Sequence, residues 1–568
     1  MNKEEVRAAI IESKILIDLS ENEIPVQKTG LEFKFTGSCF VEGINLKIQV
    51  LFDYHFPLHK PKYLVLNKKD IGFIPHIDKD GSICYTHDEN LVLDINNPVG
   101  IISETFALAV ETVRAGIKKE NSIDFINEFE AYWRYLPDSI AIFANIIPGE
   151  NVETIKIGKT NDKTFLAVSD TEDCVNSIMR FMNTKDLPTL LNGLYIPLLK
   201  NHDLVPPNYE TGLTIEVIKA FIFDNITDKN EKKILDFVKA KTRMDHFVIL
   251  SLPQPNGNYA FFGIKLNNIN YEAHPFLGNN TKATIKPLTL TRLDKEYMLK
   301  RGGNGIHYQE KKVLIIGAGS VGGYISDELI KSSIINLDIV DSDMLAFENC
   351  YRHVCGRRGV GTKKATALKN FLEDIYPHCK IEAYTDLIEN LIQKAKIDFE
   401  NYNAVIIATG NATINTYLMK LISDEKIDVP VLFSWLDPYG IGGHCLVTNI
   451  TEKGCYQCLY TNSSSNKASF TAEKQPKAFL KSVSGCGSVY SPYSSMDARE
   501  TAILTVRKLM NIFNGEEKAN AIYSWKGDSK QFIDEGFILS NRYKQNETAL
   551  EEKKTLFYDP KCNCCGKK

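Results

Sequence analysis

The feature that most constrains this chain is Gly317-x-Gly319-x-x-Gly322, set in KKVLIIGAGSVGGYISDELIKS. KKVLII reads as a buried strand, the glycines as a tight turn, and the remainder as a helix. Glycines at this spacing let backbone N–H groups approach a phosphate at a helix N-terminus. The segment therefore predicts a nucleotide site in an open, mostly parallel sheet. By itself it fits an NAD-dependent dehydrogenase equally well.

The residues that follow separate those chemistries. INLDIVDSD reads as the second strand, with Asp341 at its end where a carboxylate can hold ribose hydroxyls. Asp343, Asn349 and Arg352 come next, then Lys364 in VGTKKATA, and NAVIIATGN reads as a later strand. Hydride transfer has no use for a clustered Asn, Arg and Lys. Splitting a nucleoside triphosphate does, because cations must neutralise the transferring and leaving phosphates.

The series GAGSVGG, DSDMLAFENCYRH and VGTKKA resembles the ThiF/MoeB-type adenylation domain of ubiquitin-activating enzymes and their sulfur-carrier-activating relatives. The resemblance implies ATP held at Gly317, Gly319, Gly322, Asp341 and Asp343, with Asn349, Arg352 and Lys364 at its phosphates. RLDKEYMLKR resembles the family's entry segment, which implies a homodimer in which Arg301 or Arg292 reaches the partner protomer's ATP. Where the family carries an Asp for magnesium, this chain reads Ala-Thr-Gly410-Asn411. Either Asp343 or Asp437 takes the Mg ion, or adenylation is weakened.

Length predicts several domains, since 568 residues exceed what one core supports. A formal charge of −4 predicts no general affinity for nucleic acid or an anionic membrane. The first residues, MNKEEVRAAIIESK, read as a charged helix unlike a signal peptide, and no apolar run is long enough to span a bilayer. The expected address is cytoplasmic, where the thirteen cysteines point to metal binding or catalysis before disulfides. Cys455-x-x-Cys458 and Cys562-x-x-Cys565 have the spacing of a four-thiolate zinc site, with Cys564 as an alternative ligand. Cys350, Cys355, Cys379 and Cys445 read as small buried hydrophobes. Cys486 sits between glycines in the Ser-rich stretch VSGCGSVYSPY, and the polar TNSSSNKASFTAEKQ reads as a mobile loop. Resemblance to thioester-forming family members implies that Cys486 is the activating-site nucleophile.

The first 148 residues read as a helix, antiparallel strands (LEFKFTG, LKIQVLFDYHFP), a Pro-containing stretch, the turn DGSICY and the helix IISETFALAVETVRAGI. Locally, Cys84 in that turn fits core filler, metal ligand or nucleophile. Together with Pro75-His76 upstream, the series resembles a ubiquitin-conjugating core, which implies that Cys84 is catalytic. His76 stands where that family has an asparagine eight positions before the cysteine, and it could act as an oxyanion donor or as a base. His87 and Asp88 are left without a role.

The expected fold class is multidomain α/β: an α+β conjugating-like domain (1–148), an α/β connector (149–290) and a Rossmann-like adenylation domain (291–568). This order resembles the fused ubiquitin-activating and ubiquitin-conjugating proteins of bacterial CBASS anti-phage operons. The resemblance implies that a cGAS/DncV-like nucleotidyltransferase C-terminus is the acyl donor and target-protein lysines the acceptors. A JAB-type peptidase would reverse the linkage. A sulfur-carrier-type adenylyltransferase and a noncatalytic scaffold that binds a C-terminus are the alternatives.

Overall fold

In the computed structural model, the described residues are 1, 3–21, 31–87, 91–159, 165–169, 190–201, 204–239, 246–267, 274–278, 283–302, 306–376, 378–449, 451–479, 481–482 and 489–566. The chain forms two compact units, one of Met1–Val175 and Asp186–Asp294, the other built on Lys295–Lys568.

In the first unit, helix α1 (Lys3–Ser13) precedes the antiparallel strands β1 (Ile17–Glu21), β2 (Leu31–Val41), β3 (Ile44–Asp53) and β4 (Lys62–Val65), paired in that order. Alternate residues Leu46, Ile48, Val50 and Phe52 of β3 are buried, as a sheet with one covered face requires. The cover is α2 (Pro98–Ile117), which sends Ile102, Phe106, Ala109 and Val113 into the same core. Its start is fixed by Asn97, whose side chain accepts the Gly100 N–H at 2.9 Å, and by Pro98 in the first turn. Two short helices follow, α3 (Asp124–Asn127) and α4 (Phe129–Arg134).

Seven strands then close a barrel, in the order β10-β11-β5-β7-β6-β8-β9. They are β5 (Ile140–Asn145), β6 (Glu153–Lys159), β7 (Phe165–Ser169), β8 (Leu190–Pro197), β9 (His246–Pro253), β10 (Tyr259–Asn267) and β11 (Thr284–Arg292). Ile155, Ile157, Phe247, Ile249 and Phe261 fill one core, and helices α5 (Ile215–Phe223) and α6 (Asp228–Lys239) help cover the other face of the strands. Strand β5 pairs with β11 and β7, so residues before position 148 belong to the barrel by hydrogen bonding. Closure leaves no sheet edge, which the sequence pattern of strands mixed with helices does not reveal.

The second unit opens with α7 (Lys295–Arg301) and contains a seven-stranded sheet in the order β14-β13-β12-β15-β16-β17-β20. Its parallel part is β12 (Lys312–Ile316), β13 (Asn336–Val340), β14 (Lys380–Tyr384), β15 (Ala404–Ile407) and β16 (Val431–Leu436). The antiparallel strands β17 (Gly442–Thr448) and β20 (Ala521–Lys526) complete it. Val313 and Ile315 of β12 face one core and Leu314 and Ile316 the other, so the strand is apolar throughout. Helices α8 (Ser320–Lys331), α9 (Lys364–Ile375), α10 (Ile388–Gln393), α11 (Ala412–Asp424) and α12 (Ser495–Phe513) cover the two faces. This is the doubly wound arrangement expected of a Rossmann-like domain. Between β17 and α12, the two-residue strands β18 (Lys481–Ser482) and β19 (Val489–Tyr490) pair antiparallel.

The expected polar loop at 461–475 has almost no regular structure but is anchored. Phe470 is fully buried, and Asp437 accepts both the Phe470 N–H (2.6 Å) and the Ser469 hydroxyl (2.7 Å). Its polar composition concealed one apolar anchor and side-chain acceptors that satisfy the backbone. Among the described residues, no helix is long and apolar enough to cross a membrane.

Candidate active sites

The nucleotide loop joins β12 to α8 at the carboxyl ends of the parallel strands, where such sheets bind ligands. Gly317 has φ +102°, and a Cβ there would lie 2.5 Å from the Ala408 carbonyl oxygen. A Cβ on Gly322 would lie 1.8 Å from the Gly317 carbonyl oxygen, so both positions demand glycine for packing. Gly319 differs: a Cβ there meets nothing within 4 Å. The space above it is open to a ligand.

Asp341 accepts the Ala318 N–H at 2.7 Å and the Asp343 N–H at 2.8 Å, tying the end of β13 to the loop. Asp343 is exposed and its carboxylate pairs with the Lys364 ammonium at 2.9 Å. The Lys364 N–H also donates to the Asp343 carbonyl at 2.8 Å. Asn349 accepts the Ala346 N–H at 3.0 Å, and the Arg352 guanidinium lies 5.2 Å from the Tyr493 ring centre. Two side chains given no role by the sequence, Tyr493 and His353, complete this surround. Tyr493 donates to the Ser320 hydroxyl (3.2 Å), and His353 contacts the Ala318 carbonyl oxygen through Nε2 (2.7 Å). Burial lowers the His353 pKa, which keeps it neutral and lets Nε2–H donate to the loop. No spacing rule ties Tyr493 or His353 to a glycine loop.

The two candidate acids for magnesium are in different settings. Asp437 is buried, and besides Ser469 and Phe470 it contacts His444 Nε2 at 2.9 Å, so both its oxygens serve the fold. Asp343 is the exposed one. Arg292 lies in the barrel strand β11, with two guanidinium nitrogens on Asp294 (2.8 and 3.0 Å) and its face over Phe261 at 4.3 Å. Arg301 is exposed at the end of α7, 5.8 Å from the Tyr297 ring centre.

Cys455, Cys458, Cys562 and Cys565 converge, with all four sulfurs within 4.8 Å of one another and all four residues buried. Cys455 lies 3.9 Å from Cys458 and 3.6 Å from Cys562, and Cys458 lies 3.3 Å from Cys565. Tetrahedral thiolates about 2.3 Å from zinc are about 3.8 Å apart, so this donor set fits the metal. Cys564 is only half-buried and its sulfur faces the Met419 carbonyl oxygen at 3.9 Å. Cys355, Cys379 and Cys445 are buried as expected, while Cys350 is only half-buried. Cys486 lies between β18 and β19, outside the described residues, as does Asp88 in the first unit.

In the first unit, the DGSIC segment runs back along β4. Ile83 N–H donates to the Tyr63 carbonyl (2.8 Å) and Val65 N–H to that of Gly81 (2.8 Å). Gly81, with φ +90°, makes this approach possible, since a Cβ would lie 2.4 Å from the Val65 carbonyl oxygen. Extended backbone alternates its side chains, so Ile83 enters the core and Cys84 is exposed. The Cys84 N–H donates to the His76 carbonyl at 2.8 Å, which fixes the two residues together.

His76 has φ +65°, a left-handed conformation that His tolerates better than most residues. Its N–H donates to the Tyr132 hydroxyl at 2.7 Å. Its ring Nε2 lies 3.0 Å from Asp124 Oδ2, and Nδ1 lies 3.2 Å from Glu128 Oε1, an ion-pair contact off the line of a hydrogen bond. The neighbouring Cys84 thiol first and the Glu128 carboxylate next, opposed by burial and aided by Asp124, push the His76 pKa up to about 11. Nearby, Tyr135 donates to Asp78 at 2.7 Å and holds the turn. Asp124 and Glu128 are four residues apart, but nothing in the sequence links them to position 76. His87 is exposed.

The ThiF family model matches residues 305–520, and the model for prokaryotic E2 family B matches residues 20–142. The ATP-dependent ubiquitin transferase-like protein Cap2 of Pseudomonas aeruginosa is 22% identical over 458 residues, 78% of this chain and 80% of its own length. Cap2 of Vibrio cholerae is 27% identical over 487 residues, 77% of this chain and 80% of its own. A crystal structure of Escherichia coli MccB with MccA gives a TM-score of 0.33 at 13% identity, covering 48% of this chain and 69% of that one. A prokaryotic E2-type region followed by a ThiF-type region is the fused architecture expected from the motifs, and over most of its length the chain is similar to ATP-dependent ubiquitin transferase-like proteins.

Proposed function

We propose that the chain activates the C-terminal carboxylate of a protein with ATP and transfers it through two cysteines to an amine. The carboxylate attacks the α-phosphate of ATP, giving an acyl-adenylate and releasing pyrophosphate. Cys486 displaces AMP to form a thioester, Cys84 takes the acyl group by exchange, and a lysine amine attacks to form an amide. Each thioester keeps the acyl group activated and divides one difficult transfer into easier ones. Carrying both cysteines on one chain raises their effective concentration.

The supporting observation is an exposed Cys84 held against His76 in a chain whose other unit has a glycine loop with open space at Gly319. Gly317, Gly319, Gly322, Asp341, Asp343 and Asn349 bind ATP in this reading, and Arg352, Lys364 and Arg301 of a homodimer act on its phosphates. Magnesium supplies charge neutralisation there, with Asp343 the acid that would hold it. Zinc at Cys455, Cys458, Cys562 and Cys565 serves structure. The functional division is conjugating-like (1–148), connector (149–290) and adenylation (291–568). The acyl donor is a cGAS/DncV-like nucleotidyltransferase of a CBASS operon, and target-protein lysines are the acceptors.

The test mixes the chain with ATP and that candidate donor and resolves thiol-sensitive adducts on non-reducing gels. Cys486→Ala should abolish all adducts, and Cys84→Ala should leave the Cys486 adduct in place while abolishing the amide product. If Cys84→Ala leaves amide formation intact, conjugation through Cys84 is wrong and the sulfur-carrier-type reading takes its place.

A further inference from the structure

A neutral imidazole has one N–H and one lone pair, so it satisfies a carboxylate at only one of its two nitrogens. The His76 ring has a carboxylate at both, Asp124 at 3.0 Å from Nε2 and Glu128 at 3.2 Å from Nδ1. Either neutral tautomer would set its lone pair beside an anion, whereas the imidazolium gives Nε2–H to Asp124 and sets Nδ1–H beside Glu128 but off the line of a hydrogen bond, so that donor stays open. A ring held by one carboxylate can still lose its second proton, which is how a histidine serves as a base. Here the second nitrogen also faces a carboxylate, though without a hydrogen bond to it.

We infer that Asp124 and Glu128 are positioning residues that hold His76 as an imidazolium beside Cys84, so that it donates to the reacting acyl group and never serves as its base. This rests on the reading that Cys84 carries the acyl group. The amine arrives neutral and its nitrogen bonds to the thioester carbon. Charge moves to the carbonyl oxygen and then to the departing sulfur as the C–S bond breaks, and His76 stabilises that charge by hydrogen bonding. Cys84 leaves as thiolate, and the nitrogen's extra proton passes to water. The Cys84 N–H donates to the His76 carbonyl and the His76 N–H donates to the Tyr132 hydroxyl, so the backbone of both residues is fixed. The charged and titratable groups around it are Cys84, Asp124, Glu128 and Tyr132, with Asp78, Asp80 and Tyr135 on and against the adjoining turn.

The test needs no acyl donor. The full chain is acetylated with p-nitrophenyl acetate, acetyl-Cys84 is located by peptide mass spectrometry, and its decay in free lysine is followed. His76→Asn keeps a donor, removes any base, and suits a positive φ. Its decay rate should stay within about tenfold of the parent, while His76→Ala should lose about a hundredfold. Equal loss in both variants, or no loss in either, overturns the assignment. In histidine-labelled protein, the His76 ring should remain imidazolium from pH 6 to pH 9 by its NMR shifts. In Asp124→Asn/Glu128→Gln it should titrate near the ordinary histidine value. The decay rate of that variant relative to the parent should then fall as pH rises, the reverse of a base. A parent ring that deprotonates below pH 8, or a relative rate that rises, overturns the inference. These readouts do not use ATP, so failure to form an ATP-dependent adduct would count against the conjugation reading alone.

Discussion

The glycine loop and the Cys84 pocket solve opposite problems. The loop offers backbone: three glycines, one carboxylate that orders N–H groups, and open space at Gly319. The pocket offers side chains: a thiol, an imidazole and two acids drawn from positions 76 to 128. Backbone geometry depends on adjacent residues, so it leaves a compact motif. A charge cluster depends on where distant segments meet, so it leaves none. The difference teaches which kind of site a reader of sequence can expect to find.

The comparison breaks first at the loop. Gly322→Ala should reduce ATP–pyrophosphate exchange by about a hundredfold or more, because its Cβ would overlap the Gly317 carbonyl and displace the turn. Exchange within a few-fold of the parent would mean the loop is not the nucleotide site. Gly319→Ala should separate folding from binding. With nothing within 4 Å of the new Cβ, thermal stability should stay unchanged while exchange falls about tenfold. A drop in stability would show the open space to be structural.

The cysteine cluster tests whether side chains that meet at long range can nonetheless be legible. Cys458→Ser should release the bound zinc measured by atomic absorption and lower the melting temperature by about 5–10 °C. An unchanged metal content would remove the site.

The smallest effects are those of pH on stability, and two histidines should give opposite signs. His76 is raised to about 11, so the folded state holds a proton that the unfolded chain releases near pH 6.5. Its contribution is complete below pH 6.5 and is lost as pH rises toward 11. Buried His274 in the first unit is lowered to about 3, by desolvation first and by His246 second. Its contribution is complete above pH 6.5 and is lost as pH falls toward 3. Thermal unfolding across pH should show the alkaline loss diminished in His76→Asn and the acid loss unchanged. An unchanged alkaline limb would argue against the carboxylate clamp.

By itself the sequence determined the parts whose determinants are local. The strand, glycine turn and helix at 312–331 are one such part, since the glycines have no substitute where backbone must pass backbone. Asp341 at the end of its strand and the two CxxC pairs are others, because their spacing is their chemistry. The antiparallel strands of the first unit followed from alternation, and most of α2 from the helical pattern of IISETFALAVETVRAGI. Only the tertiary structure decided that β5 joins a closed barrel, that Asp437 is buried against His444, and that Arg292 is paired with Asp294. It also decided that His76 faces Asp124 and Glu128. In each of these cases the contact is set by packing, and a residue pattern carries no record of which neighbouring or distant group the fold will bring close.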